Sequence, residues 1–171
     1  EKDLAVLPTF AVTLATPGLW VKDPATNITL EGLVHGAQSA NFNAPLPPQA
    51  NITGKARISQ VYDRGATKGA VVVVERSIHD THSGLLYCTL EQTLILRADG
   101  GFGGEPPPDN NLSIPLSPPH QAIAYKTTPG QAILYRLSGD WNPLHIDPCV
   151  AQRAGFQQPI LHGYCSYGIA G

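Results

Sequence analysis

Three β-branched stretches, separated by tight turn signals, limit what this chain can become. "ANITGKARISQVYDRG" (50–65) alternates with a period of two and ends at Asp63-Arg64-Gly65. "KGAVVVVERSIHD" (68–80) is a continuous apolar run of buried-strand type, and "HSGLLYCTLEQTLILRADGG" (82–101) follows a Ser83-Gly84 turn. Short connections between such runs permit antiparallel neighbours and exclude parallel crossovers, so the middle of the chain is read as an antiparallel meander.

The flanks differ. Residues 1–30 hold the mixed apolar run "VLPTFAVTL" and two turn-rich patches, and "LEGLVHGAQSANFNAPLPP" leads into the strands. Residues 99–119, "DGGFGGEPPPDNNLSIPLSPP", are dense in Gly and Pro and read as a linker between modules at 1–98 and 120–171. Beyond it the pattern turns helical. In "TTPGQAILYRLSG" Thr128 is placed to cap, Pro129 to open and Gly139 to close a helix. "DPCVAQRAGF" repeats that logic with Asp147, Pro148 and Gly155, and "PILHGYCSYGIAG" begins a third, apolar helix. Helices with apolar faces must bury them against another layer, so a second sheet is expected outside this sequence.

Charged residues make up 14% of the chain, against about 25% in an average soluble domain. A net charge of -2 gives no electrostatic reason to expect nucleic acid or an anionic membrane as partner. No signal peptide or long apolar span is recognisable. Three cysteines, Cys88, Cys149 and Cys165, without a C-x-x-C pair, are read as reduced, buried thiols of an intracellular protein.

"LSGDWNPLHIDP" (137–148) is where chemistry concentrates. An isolated Asp is usually a cap, and an isolated His a satisfied loop residue. Here Asp140, Asn142 and His145 crowd around Pro143, which excludes a regular helix and predicts an irregular turn. Such a turn brings a carboxylate and an imidazole to one point, where they can hold a water and move its protons near neutral pH. Metal binding is the lesser reading, because His145 and Asp147 lie two apart and no further ligand sits at metal spacing. In "PILHG" (159–163), Gly163 would offer a bare N–H at a helix start, a form of oxyanion hole.

Taken together, "ILYRLSGDWNPLHIDP" (133–148), "AGF" (154–156) and "PILHG" resemble the MaoC-like (R)-specific enoyl-CoA hydratases, or hydratase 2. "VLPTF" (6–10), "VHG" (34–36), "PLPP" (45–48), "VYDRG" (61–65) and "GGFGG" (100–104) resemble its two-module branch, which includes the hydratase 2 domain of peroxisomal multifunctional enzymes. Ala37 departs from the pattern, standing where members commonly carry an acidic residue.

The resemblance implies an α+β double hot dog, each module an antiparallel sheet wrapped around a helix. The first module's helix is degraded to admit a bulky acyl chain, and the second module is incomplete at Gly171. The implied reaction is reversible addition of water to a trans-2-enoyl-CoA, giving the (R)-3-hydroxyacyl-CoA. Asp140 and His145 would activate the water, Asn142 orient it and Gly163 bind the thioester oxygen. His35, Gly36, Arg64, Trp141, Pro143 and Leu144 would contact the CoA ester, Arg64 as a phosphate clamp. The family further implies no metal, nicotinamide or flavin, a homodimer, and a peroxisomal or, in bacteria, cytoplasmic setting. One rival reading shares the loop: a dehydratase acting on carrier-protein thioesters. A second, a non-catalytic acyl-thioester-binding module, would not need Asp140, Asn142 and His145 all intact. A third is a truncated fragment, folded only in part or completed by another chain.

Overall fold

The computed structural model describes residues 4–109, 113 and 115–171. The meander is present as β2 (Ile52–Asp63), β3 (Ala70–Asp80) and β4 (Leu86–Leu96). A further strand, β1 (Leu33–Phe42), precedes them and pairs with β4, so the antiparallel sheet has the order β1-β4-β3-β2. Small, neutral residues in "LVHGAQSANF" hide the alternation that marks a half-buried strand, and the register shifts between His35 and Ala37. Three short helices follow: α1 (Gln131–Arg136), α2 (Pro148–Arg153) and α3 (Gly163–Ala170). No described helix is long and apolar enough to cross a membrane.

The pleat sends alternate side chains of a strand to one face. The cross-strand pairs Ala70–Leu96, Val72–Leu94, Arg76–Leu90 and Ile78–Cys88 therefore share a face, and all eight residues are buried. Single-turn 3-10 helices cover that face where a hot dog would carry a long helix. Trp20, Val21 and Ile28 pack over Ala70, Val72, Val74, Leu94 and Leu96. Ala11 and Val12, from the turn Pro8–Thr13, join Ile78, Tyr87, Cys88 and Leu90, and Tyr164 and Tyr167 of α3 close over the same cluster. Buried Arg76 pins the N-terminal turn by donating from Nη2 to the Val12 carbonyl at 2.6 Å.

Asp63 ends β2 with its carboxylate turned inward. It accepts from the backbone N–H groups of Gly65 (2.8 Å), Gly101 (2.7 Å) and Gly103 (2.6 Å). The start of the Gly-rich stretch is thus fastened to the β2–β3 turn, whereas composition alone reads it as linker. Gly65, Gly101 and Gly103 have φ of +86°, +90° and +84°, the left-handed region that costs glycine little.

One terminal assignment changes. The first helix starts at Gln131 with Gly130 before it and no side-chain cap; Thr128 lies in a turn ahead of it, its carbonyl accepting from the Gln131 N–H at 3.0 Å. Asp147 caps α2 as expected, accepting from the N–H groups of Cys149 (2.8 Å) and Val150 (3.3 Å). Cys88 and Cys165 are buried thiols, but Cys149 in the first turn of α2 is exposed.

Backbone N–H donors, Gly101 first, hold the Asp63 carboxyl below its ordinary pKa against the opposing effect of its desolvation. A depressed carboxyl contributes stability that is present above the unfolded value of about 3.9 and is lost as pH falls through the folded value. Asp63→Ala should free the amides of Gly101 and Gly103, and hydrogen exchange at those two sites should lose protection while β3 keeps its own. Unchanged protection would refute the fastening.

Candidate active site

The loop that carries Asp140 and His145 is shaped by its own side chains. Pro143 does not forbid a helical turn here but starts one. Its fixed φ suits the first position of the 3-10 turn Pro143–His145, where no N–H is required. Asn142 caps that turn, its Oδ1 accepting from the Leu144 N–H at 3.1 Å, which leaves its amide NH2 as the free polar group. The Asp140 Oδ1 accepts from the Asn142 N–H at 3.2 Å. Leu144 is buried with Ala151 and Ala154, against Val150, Phe156 and Ile160. Its place is therefore packing: it anchors the loop and presents little surface to a ligand.

That anchor sinks His145 to 9% exposure. Its Nδ1 lies 2.8 Å from the Ile160 carbonyl oxygen. A carbonyl only accepts, so Nδ1 carries the hydrogen and the lone pair of the neutral ring is on Nε2. His162, immediately before α3, stacks on this ring with centroids 3.7 Å apart and planes at 27°. The His162 Nε2 lies 3.3 Å from the Asp140 backbone oxygen and 4.0 Å from its Oδ2. Asp140, His145 and His162 thus form one cluster.

His162 has no place in the sequence reading beyond its position in "PILHG". A histidine beside a helix start has no signal of its own, and its importance comes from stacking on a ring from another loop. Burial lowers the pKa of His162 first, and the neighbouring His145 imidazole lowers it further. Burial, aided by the Asp140 carboxylate, pushes the Tyr135 phenol up to about 12, so it stays protonated.

The three residues offer ligand atoms within 4.8 Å of one another. Tetrahedral zinc with bonds of about 2.1 Å spaces its ligands about 3.4 Å apart, so a metal would need the cluster to close. Proton transfer needs no such closure. A carboxylate and an Nε2 lone pair separated by a few ångströms can share one water.

Gly163 opens α3, and first-turn N–H groups have no partner within the helix. A Cβ at Gly163 would sit 2.8 Å from the His35 Nδ1, so any other residue there would displace the His35 ring. His35 thereby couples β1 to α3. Its ring meets Tyr164 edge-on at 4.7 Å, and its Nε2 is 3.0 Å from the Ala37 carbonyl oxygen. Burial lowers the pKa of His35 as well, against opposing hydrogen bonds to Ala37 and Gln38.

The remaining expected contacts are scattered. Gly36 has a packing reason, because a Cβ there would lie 2.7 Å from the Ile95 side chain. Arg64 is an exposed turn residue whose backbone N–H donates to the Gly69 carbonyl at 2.9 Å, and no described contact joins it to Asp140 or His145. Trp141 is 64% exposed, with the Arg136 guanidinium 4.8 Å from its ring. Pro143 is exposed beside it.

A four-stranded antiparallel sheet with helices packed against it, and an Asp–His pair beside a glycine-started helix, define a protein of the hot-dog class. Residues 111–171 match the MaoC like domain, and residues 1–98 match the MFE-2 hydratase 2 N-terminal domain. The chain belongs to the MaoC-like hydratase 2 family. It is 40% identical to 3-hydroxyacyl-thioester dehydratase Y of Mycobacterium tuberculosis, over 99% of this chain and 59% of that protein. It is 37% identical to the peroxisomal enoyl-CoA hydratase 2 of Arabidopsis thaliana, over 98% of this chain and 57% of that one. Among solved structures, full-length peroxisomal multifunctional enzyme type 2 from Drosophila melanogaster superposes with a TM-score of 0.73 at 37% identity, covering 98% of this chain and 29% of that one. The chain thus spans less than two thirds of the length of these relatives.

Two histidines with lowered pKa values, half-buried His35 and buried His162, have a consequence for the whole fold. The unfolded chain takes up their protons at about pH 6.5, the folded one only at lower pH. Their contribution to stability is therefore present above about pH 6.5 and is lost as pH falls through the folded values. Urea unfolding across pH 5–8 should show the midpoint falling on the acid side, with a shallower fall in His35→Gln. A midpoint independent of pH over that range would contradict the burial of these rings.

Proposed function

We propose that this chain carries the water-handling site of an (R)-specific 2-enoyl-CoA hydratase. The observation that supports this most is the meeting of Asp140 and His145 with His162, the residue directly before Gly163 at the start of α3. Water held by the Asp140 carboxylate and His145 attacks C3 of a trans-2-enoyl thioester. One member of the pair takes its proton as the O–C3 bond forms. The electron pair of the C2–C3 double bond moves towards the thioester oxygen, where the Gly163 N–H stabilises the growing negative charge. A proton then passes to C2, giving the 3-hydroxyacyl thioester, and the pair behaves as one coupled titrating unit.

A backbone donor aimed at an oxyanion is worth about 3 kcal/mol in comparable sites. Asn142, with Oδ1 committed to its cap, orients the water through its amide NH2. The conjugated thioester is already activated, so positioning and electrostatics are sufficient and no redox cofactor enters. His35, Gly36, Arg64 and Trp141 are assigned to the CoA ester by family likeness. A homodimer, and a peroxisomal or cytoplasmic setting according to source, belong to the same reading.

The reverse direction is the second reading, favoured by the dehydratase name of one relative. It uses the same site, with a carrier-protein thioester in place of CoA.

Loss of enoyl absorbance from trans-2-decenoyl-CoA, followed by chiral analysis, should reveal the (R)-3-hydroxyacyl-CoA. Asp140→Ala and His145→Ala should each lower kcat by roughly 100-fold or more with KM little changed, since each acts in the transition state. A large rise in KM at unchanged kcat in either variant would remove it from the chemistry. A tenfold or greater preference for the acyl-carrier-protein ester, about 1.4 kcal/mol, would favour the second reading.

A further inference from the structure

His162 takes no part in the hydration steps proposed above, yet it touches Asp140 and His145 and directly precedes Gly163. Its ring is 1% exposed and lies between Tyr135, with centroids 4.8 Å apart, and His145 at 3.7 Å. The Asp140 backbone carbonyl, 3.3 Å from Nε2, can only accept, so the hydrogen of His162 is on Nε2 and Nδ1 is bare. That Nδ1 is buried and meets no hydrogen-bond partner among the described residues. A proton added there would create a buried N–H without an acceptor, against a second imidazole. His162 is thereby held neutral, as a donor towards Asp140 and a flat face for His145.

We infer that His162 is a positioning residue, holding the backbone at Asp140 and the His145 ring plane in register with the N–H of Gly163, the next residue in the chain. The kinetic part of this inference rests on the hydratase reading of the same site. Three separate pieces of backbone must agree for the chemistry: the loop at Asp140, the 3-10 turn ending at His145 and the start of α3. The Nδ1–H bond to Ile160 sets where the His145 ring is tethered, but a single hydrogen bond leaves rotation about its axis. Stacking at 3.7 Å and 27° removes that freedom. The Nε2–H of His162 meanwhile ties the Asp140 backbone to the residue that caps α3.

The donor and the face are separable. His162→Phe keeps a flat ring and loses the donor, while His162→Gln keeps a donor and loses the ring. In the intact protein each should lower kcat roughly 10- to 100-fold, the loss expected of a misplacement near 1 Å, with KM within about threefold. In a His145→Gln background the same changes should cost less than about threefold, since a residue that acts through His145 has little left to act on. Nitrogen-15 spectra of the imidazoles should show Nδ1–H at His145 in the wild type, and shifted His145 signals in both variants.

Kcat within twofold of wild type in both variants, with His145 signals unmoved, would overturn the inference. So would losses that multiply undiminished in the His145→Gln background, since they would mark a purely structural residue. If the wild type hydrates no enoyl-CoA but its His145 signals still move when His162 is changed, the positioning stands and the hydratase reading falls.

Discussion

The chemistry proposed for this structure depends on one hydrogen bond between a side chain and the backbone. The Ile160 carbonyl holds the Nδ1–H of His145 at 2.8 Å and so decides which nitrogen is free. Reverse the tautomer and Nε2 becomes a donor, unable to take a proton from water. The carbonyl belongs to the segment that runs into α3, so the bond also fixes the distance between the imidazole and the helix start. Leu144, buried under Ala151 and Ala154, supplies the force that keeps the turn in place. Burying a leucine side chain is worth about 1.5–3 kcal/mol, which exceeds what one hydrogen bond usually adds.

The sheet has two effects on this cluster. It braces α3 through Tyr164 and Tyr167, which pack over the Ile78–Tyr87–Cys88–Leu90 cluster. It also reaches the loop side, where Arg97 at the end of β4 donates from Nη2 to the Ala154 carbonyl at 2.5 Å and lies 5.1 Å over the Phe156 ring. A guanidinium over an aromatic face adds a cation–π attraction to the hydrogen bond. The replacement of a long helix by single 3-10 turns leaves the sheet's covered face uneven, and it is there that His35 can reach across to Gly163.

Legibility in the sequence followed the range of the forces involved. The β-branched runs and the turns between them are local signals, and β2, β3 and β4 appear where they point. The Asp147–Pro148 helix start is equally local and is realised. β1 was not legible as a strand, since glycine, alanine and serine carry no alternation and its place depends on β4 beside it. The Thr128 cap is not formed, since the helix begins beyond it, at Gln131. That Asp140 and His145 meet, and that Gly163 opens a helix, could be anticipated because polar groups crowd around Pro143 and a glycine precedes an apolar helical run. His162 could not, because its weight comes from a stack between residues distant in the chain. The grip of Asp63 on Gly101 and Gly103 was hidden likewise, since composition marks a Gly-rich stretch as loose without saying what holds it.

The most direct test of the account is a crystal structure of the intact protein with a bound (R)-3-hydroxyacyl-CoA. The account places the 3-hydroxyl oxygen within about 3 Å of both the Asp140 carboxylate and the His145 Nε2, and the thioester oxygen on the Gly163 N–H. The His145 Nδ1 should still face the Ile160 carbonyl. A thioester seated away from α3, or a His145 ring turned to present Nδ1 to the ligand, would contradict it.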